Sequence, residues 1–421
     1  MSSRIWTSVL GVALGATCLQ SQAAAQDAID YFDRYDVKPV SEQTDPEVNP
    51  ALIPLGSFRL RPEVEFNGGY DTNVLATELN EESDTFVGFA PRVAIGSAWS
   101  QHALGAEIVV DHREYSELDT ESRTNFKLKL RGRLDLGENT SLTVDVKAAD
   151  ETEDRTELST VATALEPNEY TQAGLGARLD HQTGRFGFEA AVGYDTFDYD
   201  DAELAGDLFQ DQDFRDHSKL SAKARGSYAL NPDVAVFAEV AQLYGDYDPP
   251  GFFNAFNRDY YGTVLLVGTD FELGDRIRGD IGLGYQYYSY DDDLLEDISD
   301  FAFSGEVDWM LTDSTTLTAQ AERKVIDPGL AILNAAIETG ASVGLEQRLT
   351  RKLYVHGEAG LRQYAFESSD REDDRVDLSV GANWKINPNI WLSGEYELID
   401  QTSDVQEFTD NRALVRMRIF P

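Results

Sequence analysis

Charged side chains at every second position are the residues with the clearest chemical potential in this 421-residue sequence. Such rows can select ions and polar solutes in a water-filled space, or they can pair across neighbouring strands and stiffen a wall. We expect pairing for most of them and selectivity for a few. The candidates are Arg59, Arg61, Glu63, Arg92, Glu107, Lys127, Lys129, Arg131, Arg133, Lys223, Arg225, Arg278, Asp280, Glu306, Glu358, Arg416 and Arg418.

Catalytic chemistry has little support. The histidines are scattered: His102, His112, His181, His217 and His356. The sequence contains no G-x-S-x-G, H-E-x-x-H or Walker motif and no cysteine–histidine constellation. We therefore expect no enzyme activity, no catalytic residues, no metal site and no cofactor. The formal net charge of -41 argues against binding to nucleic acid, whose phosphates would be repelled.

The segments that contain these charges alternate with a period of two. In 376–386, Val376, Leu378 and Val380 share one face, and Asp377 and Ser379 share the other. An α-helix does not keep this period, whereas a half-buried β-strand does. The polar rows therefore lie on strands.

Turn signals divide these strands into a regular series. Tight turns such as Asn231-Pro232-Asp233 alternate with long acidic stretches such as 150–168 and 200–213. This rhythm predicts an all-β fold, a closed antiparallel transmembrane β-barrel with short periplasmic turns and longer acidic external loops. We count about 18 strands, with 16 as the alternative. The long stretches are moderate in length, and none is long enough to indicate a loop that constricts the lumen.

Aromatic residues gather at both ends of the predicted strands. Trp99, Trp309, Trp384 and Trp391 lie near tight turns. At the opposite ends are Tyr194, Phe197, Tyr199, Tyr244, Tyr247, Tyr285, Tyr287, Tyr288, Tyr290, Tyr364 and Phe366. This sorting predicts two aromatic belts at two membrane interfaces.

The first 25 residues have the pattern of a cleavable secretory signal. Arg4 supplies a positive charge, residues 5–19 are apolar, and Ala23 and Ala25 form an A-x-A cleavage site. The one cysteine, Cys18, lies in this segment. We expect residues 1–25 to be removed, residues 26–56 to form a periplasmic extension that could act as a short plug, and residues 57–421 to form the barrel.

The first and last strands resemble known sequences. In 58–74, Arg61-Pro62 is followed by Gly69-Tyr70-Asp71-Thr72-Asn73-Val74, a run that resembles the opening strand of the putative β-barrel porin 2 family. The last strand, 411–420, resembles the terminal strand of outer-membrane proteins, although Phe420 is penultimate. The family resemblance implies an outer-membrane barrel of this size with a suggested role in surface-polysaccharide export, and it supplies no catalytic residues.

Together these features lead us to expect a water-filled pore for polar solutes or ions in the outer membrane of a Gram-negative cell. The resemblance adds a role in polysaccharide export. The alternatives are a partner-gated exopolysaccharide export component with a closed resting pore, and a structural or adhesive surface barrel. The expected partners are outer-membrane lipid and lipopolysaccharide, the barrel-assembly machinery, and polysaccharide or export proteins.

Overall fold

The computed structural model describes residues 38–43, 48–161, 163–248, 256–331 and 333–421. The predicted signal, its cleavage after Ala25 and the first part of the predicted extension lie outside the described residues. Helical structure in the described ranges consists of four single 3₁₀ turns, Val40–Glu42, Asp119–Glu121, Asp213–Arg215 and Gly274–Arg276. No helix among the described residues is long and apolar enough to cross a membrane.

Long antiparallel strands account for most of the described chain. Their bounds, in chain order, are β1 (Ile53–Leu55), β2 (Phe58–Asp71), β3 (Asp84–Ser97), β4 (Ala103–Tyr115), β5 (Arg123–Gly137), β6 (Thr140–Thr152), β7 (Glu169–Thr183), β8 (Phe186–Tyr199), β9 (Ala202–Leu204), β10 (Leu208–Gln210), β11 (His217–Asn231), β12 (Val234–Tyr247), β13 (Tyr260–Leu273), β14 (Ile277–Tyr290), β15 (Ile298–Thr312), β16 (Thr315–Ile326), β17 (Ala336–Arg348), β18 (Leu353–Phe366), β19 (Glu372–Asn387), β20 (Ile390–Thr402) and β21 (Phe408–Ile419).

Eighteen of these described strands close into a barrel. Each long strand pairs with its neighbours in sequence, and β21 pairs with β2 from Val64 opposite Ile419 to Asp71 opposite Arg412. The short strand β1 pairs with the start of β2, and β9 and β10 form a separate hairpin. The prediction of a closed antiparallel barrel with about 18 strands is confirmed. Closure leaves no open sheet edge that would have to be buried in lipid.

The period-two pattern becomes an inner and an outer surface. Between β5 and β6, Leu130 lies opposite Val146, and the next pair is Arg131 opposite Asp145. Leu130 and Val146 are exposed on the outside, whereas Arg131 and Asp145 form an ion pair on the inside. An outer surface with this many exposed large apolar side chains is unsuited to water and suited to lipid.

The connections alternate between tight turns and long loops, as predicted. All tight turns of the described chain lie at one end of the barrel, here called the turn end, and the long loops lie at the other, the loop end.

At the turn end, Trp99, Trp309 and Trp384 are exposed, as an aromatic belt requires. Trp391 differs: it lies opposite Arg418 and Lys385 on the inner face. Its ring contacts Phe420, with 5.0 Å between ring centroids. The expected fourth tryptophan of this belt therefore belongs to the lumen, because it shares the parity of the inner-face residue Glu395 along β20.

The aromatic residues at the loop end also separate by parity. Tyr194, Tyr244, Tyr285 and Tyr287 are exposed on the outer face. The others predicted for this belt lie on the inner face: Phe197, Tyr199, Tyr247, Tyr288, Tyr290, Tyr364 and Phe366. These inner rings pack on one another and beneath loops. His217, for example, is stacked between Phe197 and Tyr247 at centroid distances of 4.7 and 4.6 Å. Seven of the eleven aromatic residues expected in this belt therefore lie on the inner face, beneath the loops.

Candidate functional site

The strand register places all seventeen candidate charges on the inner face. Six of them line a cavity of about 1190 Å³ that lies against the wall from β7 round to β21. These six are Lys223, Arg225, Arg278, Asp280, Glu306 and Glu358. The others lie on the inner face of β2 to β5 and β21: Arg59, Arg61, Glu63, Arg92, Glu107, Lys127, Lys129, Arg131, Arg133, Arg416 and Arg418.

Many of these charges pair across neighbouring strands. Arg418 of β21 contacts Glu65 of β2 at 2.6 Å, and Glu63 lies 3.5 Å from the same guanidinium nitrogen. Lys223 of β11 contacts Glu189 of β8 at 2.7 Å. Pairs of this kind link one strand to the next and fix the register of the wall.

The cavity is acidic overall. Of its lining residues within the described chain, seventeen are Asp or Glu and ten are Lys or Arg. Because the wall carries more negative than positive groups around enclosed solvent, it creates a negative potential that attracts cations. Arg375 and Arg412 are two of the lining residues that were not among the candidates predicted from the sequence. Their parity along the strands, shared with Asp377 and with Arg416, is the signal that could have identified them.

The third long loop (residues 153–168, named L3) crosses this lumen. Asp154 receives hydrogen bonds from Arg412 of β21 at 2.9 and 3.2 Å. Arg375 of β19 donates to the carbonyl oxygen of Thr156 at 2.8 Å. Since L3 begins at the end of β6, and β19 is seven strands away around the barrel, these contacts reach the far wall.

The expectation that no loop is long enough to constrict the lumen is therefore wrong. Sixteen residues can extend over roughly 50 Å, which is ample for crossing a barrel of this size. Length alone did not decide the outcome. What turns L3 inward is the set of charged partners on the opposite wall.

Buried ion pairs hold the first residues of L3. Arg155 donates two hydrogen bonds to Glu121 of the preceding long loop, at 2.7 and 3.1 Å, and these side chains are only 5% and 3% exposed. Arg215, from the following long loop, pairs with Glu153. Leu158 packs against the inner-face rings of Tyr364 and Phe366. The loop is thus a packed element of the lumen.

A glycine allows a second loop to approach L3. Gly329, between β16 and β17, has a φ of +68°, in the left-handed region that favours glycine. A Cβ atom at this position would lie 2.6 Å from the Cβ of Ser159 in L3. The same loop contains Asp327, which accepts hydrogen bonds from Arg258 at 2.8 Å and from the Tyr247 hydroxyl at 2.6 Å. Several loops therefore meet over the loop end of the cavity.

Two carboxyl groups of L3 have opposite shifts in pKa. Burial alone would raise the pKa of Asp154, but Arg412 and Arg123 hold it well below its usual value. Burial, together with the nearby Asp154 carboxylate, raises the pKa of Glu157 to about 7, although Arg375 acts in the opposite direction. The constriction thus combines one firmly ionised acid with one acid that titrates near neutral pH.

The chain matches one family model in sequence and is similar to several solved structures. A family model described as "Putative beta-barrel porin 2" matches residues 45–419. No curated protein matches the chain in sequence. The solved structures similar to it include three from Pseudomonas aeruginosa. OpdO is 14% identical, with 86% of this chain and 97% of that chain covered and a TM-score of 0.45. OccK2 (OpdF) in complex with glucuronate is 10% identical, with 86% and 98% covered and a TM-score of 0.46. OccK9 (OpdG) is 11% identical, with 86% and 98% covered and a TM-score of 0.47.

The fold and the charged lumen define a porin-like outer-membrane β-barrel, a class of channels rather than of enzymes. Within that class, the chain belongs to the putative beta-barrel porin 2 family.

Proposed function

We propose that this barrel is a narrow, cation-preferring channel for small polar solutes and ions in the outer membrane of a Gram-negative cell, with its turn end in the periplasm. The observation that carries the proposal is the acidic cavity beneath L3, lined by seventeen acidic and ten basic residues of the described chain. A water-filled lumen with this excess of negative charge concentrates cations, whereas L3 limits the size of what passes.

The inward position of L3 favours small solutes over a polymer in the conformation seen here. A polysaccharide strand would require L3 to leave the Arg375 and Arg412 side of the lumen. Export of surface polysaccharide is therefore the second candidate, supported by the family resemblance and dependent on a partner that moves L3. Lipopolysaccharide around the barrel and the barrel-assembly machinery are proposed partners in either case.

Ion selectivity tests the proposal directly. We would refold the protein, confirm heat-modifiable mobility on a gel, and measure the reversal potential in a planar bilayer with a KCl gradient. We expect a cation preference at low salt that weakens towards 1 M, where the screening length falls to about 3 Å. Glu306→Gln, in the cavity wall, should reduce the preference. Glu138→Gln, at an exposed tight turn, should leave it unchanged.

Anion preference, or equal selectivity in wild type and Glu306→Gln, would contradict the proposal. An inserted barrel that stays silent in wild type and in every variant described below would also contradict it, and would favour the partner-gated exporter.

A further inference from the structure

The chain before β1 enters the lumen at the turn end. The backbone N–H of Val40 donates to the Thr316 hydroxyl at 3.0 Å, and that of Ser41 donates to the Glu346 carboxylate at 2.9 Å. Thr316 and Glu346 lie opposite each other on the inner faces of β16 and β17. A linker that merely passed the barrel would contact the outer rim of the turns, so these partners place residues 38–43 inside the mouth.

An ion pair fixes this segment to the wall. Glu42 accepts a hydrogen bond from Arg278 of β14 at 2.5 Å, and the same guanidinium contacts Asp308 of β15 at 3.0 Å. Arg278 lines the cavity, so the Glu42 carboxylate lies where the cavity meets the turn end. The Glu42 and Arg278 side chains are 23% and 30% exposed, so water reaches both partners and makes this pair weaker than a fully buried one.

A second set of contacts holds the chain further along the same mouth. The Trp391 indole N–H donates to the carbonyl oxygen of Val48 at 3.1 Å, and the Lys385 ammonium donates to the Asn49 side chain at 3.0 Å. Trp391 and Lys385 face inward on β20 and β19. Val40 and Val48 are 4% and 2% exposed, so two apolar side chains of this segment are covered. The contacts span β14 to β20, a large part of the circumference.

We propose that residues 38–43 are a releasable plug, which closes the turn end of the lumen when docked and opens it when the Glu42–Arg278 pair breaks. The plug acts on the channel that we propose above, so this inference rests on the proposed function. Val48 and Asn49 anchor the chain at β19 and β20. The part across β14 to β17 is held by one partly hydrated ion pair, by the covered Val40 side chain and by a few hydrogen bonds. Docked, residues 38–43 occupy the space through which a solute would leave the cavity.

The first test uses charge variants of the full chain in planar bilayers. Glu42→Gln should raise the open probability about two- to fivefold, the range for loss of one partly exposed ion pair. Glu42→Lys should raise it further, because the introduced ammonium group would face the Arg278 guanidinium and repel it. Glu138→Gln, the same kind of change at an exposed turn, should behave as wild type. If wild type, Glu42→Gln and Glu42→Lys all conduct equally, the plug proposal is contradicted, whereas the channel proposal is supported.

The second test locks the plug. Val40→Cys combined with Thr316→Cys, in a Cys18→Ser background, introduces one thiol at each of two neighbouring residues, whose backbone nitrogen (Val40) and hydroxyl oxygen (Thr316) lie 3.0 Å apart. Oxidation should form the cross-link and close the channel, and a reductant should reopen it, while Val40→Cys alone should not respond. No cross-link, or a cross-link without a change in conductance, overturns the plug. If the cross-link forms but neither the reduced protein nor Glu42→Lys conducts, the proposed channel function is contradicted. The gating role of the plug is then contradicted as well.

Discussion

At the scale of single residues, burial separates two kinds of ion pair in this barrel. Arg131 and Asp145 pair on the inner wall with 59% and 29% of their side chains exposed, so water competes for both charges. Arg155 and Glu121 pair between two loops at 5% and 3% exposure, where no water replaces a lost partner. Both are arginine–carboxylate pairs, but the consequence of removing one partner differs because of solvation.

We therefore expect Arg155→Ala to release L3. The change leaves the Glu121 carboxylate buried without its bidentate partner, a loss of about 3–5 kcal/mol for a pair of this kind, which is enough to undock a loop. Arg131→Ala should cost less than about 1 kcal/mol. The measurement is the rate of protease cleavage within L3 in the refolded protein. Similar rates in the two variants would show that burial of the Arg155 pair does not hold the loop.

At the scale of elements, L3 behaves as a docked unit whose stability depends on pH through Glu157. Burial and the nearby Asp154 raise the pKa of Glu157 to about 7. The Glu157 carboxyl group therefore binds its proton more tightly in the docked loop than in a released loop. Docking is therefore strongest below the ordinary carboxyl range and weakens as the pH rises towards 7. Asp154 has a pKa well below its usual value and stays ionised throughout this range.

We expect L3 to be cleaved faster at pH 8 than at pH 5, with a difference in docking free energy on the order of 2 kcal/mol after allowance for nearby solvent. Glu157→Gln cannot lose this proton and should remove the difference. The ratio of wild-type to Glu157→Gln cleavage at each pH cancels the protease's own pH dependence. A ratio that is constant between pH 5 and pH 8 would contradict the prediction.

The strands could be predicted from the sequence because their signals are local. Alternation at i and i+2 reveals a strand such as β19, and turn residues such as Asn387-Pro388-Asn389 mark where it ends. Inner and outer positions follow from the same parity. Even the inward position of Trp391 could have been predicted, since Trp391 shares a face with Glu395 along β20.

The constriction could not be predicted in this way, because its partners are far apart in sequence. Asp154 and Arg412 are 258 positions apart, and Thr156 and Arg375 are 219 apart. No local pattern states that an acidic loop will meet arginines on the far wall rather than solvent. The same holds for the Glu42–Arg278 contact, which joins positions 236 apart.

At the scale of the whole molecule, the period-two alternation along the strands gives the barrel an inner surface suited to water and an outer surface suited to lipid. The inner face and the loops carry most of the charge, whereas the outer face of β5 includes the exposed side chains of Leu130, Leu134 and Leu136. Polar residues suit the lumen because it holds water, and apolar residues suit the outside because hydrocarbon offers no hydrogen bonds. The mean composition therefore resembles that of a water-soluble protein, although the barrel spans lipid.

This arrangement predicts that a charge on the outer face costs more the deeper it lies. Leu130 is near the middle of β5 and Leu136 is near its turn end, and both face outward. Leu130→Arg should lower the free energy of unfolding by about 2–4 kcal/mol, because its guanidinium lies near the bilayer midplane, whereas Leu136→Arg should cost about 0–1 kcal/mol, because it can reach the interface. Urea unfolding of each variant refolded into lipid vesicles measures both values. Equal costs at the two positions would mean that the outer face of β5 is not immersed in hydrocarbon, and the membrane placement of the barrel would then have to be revised.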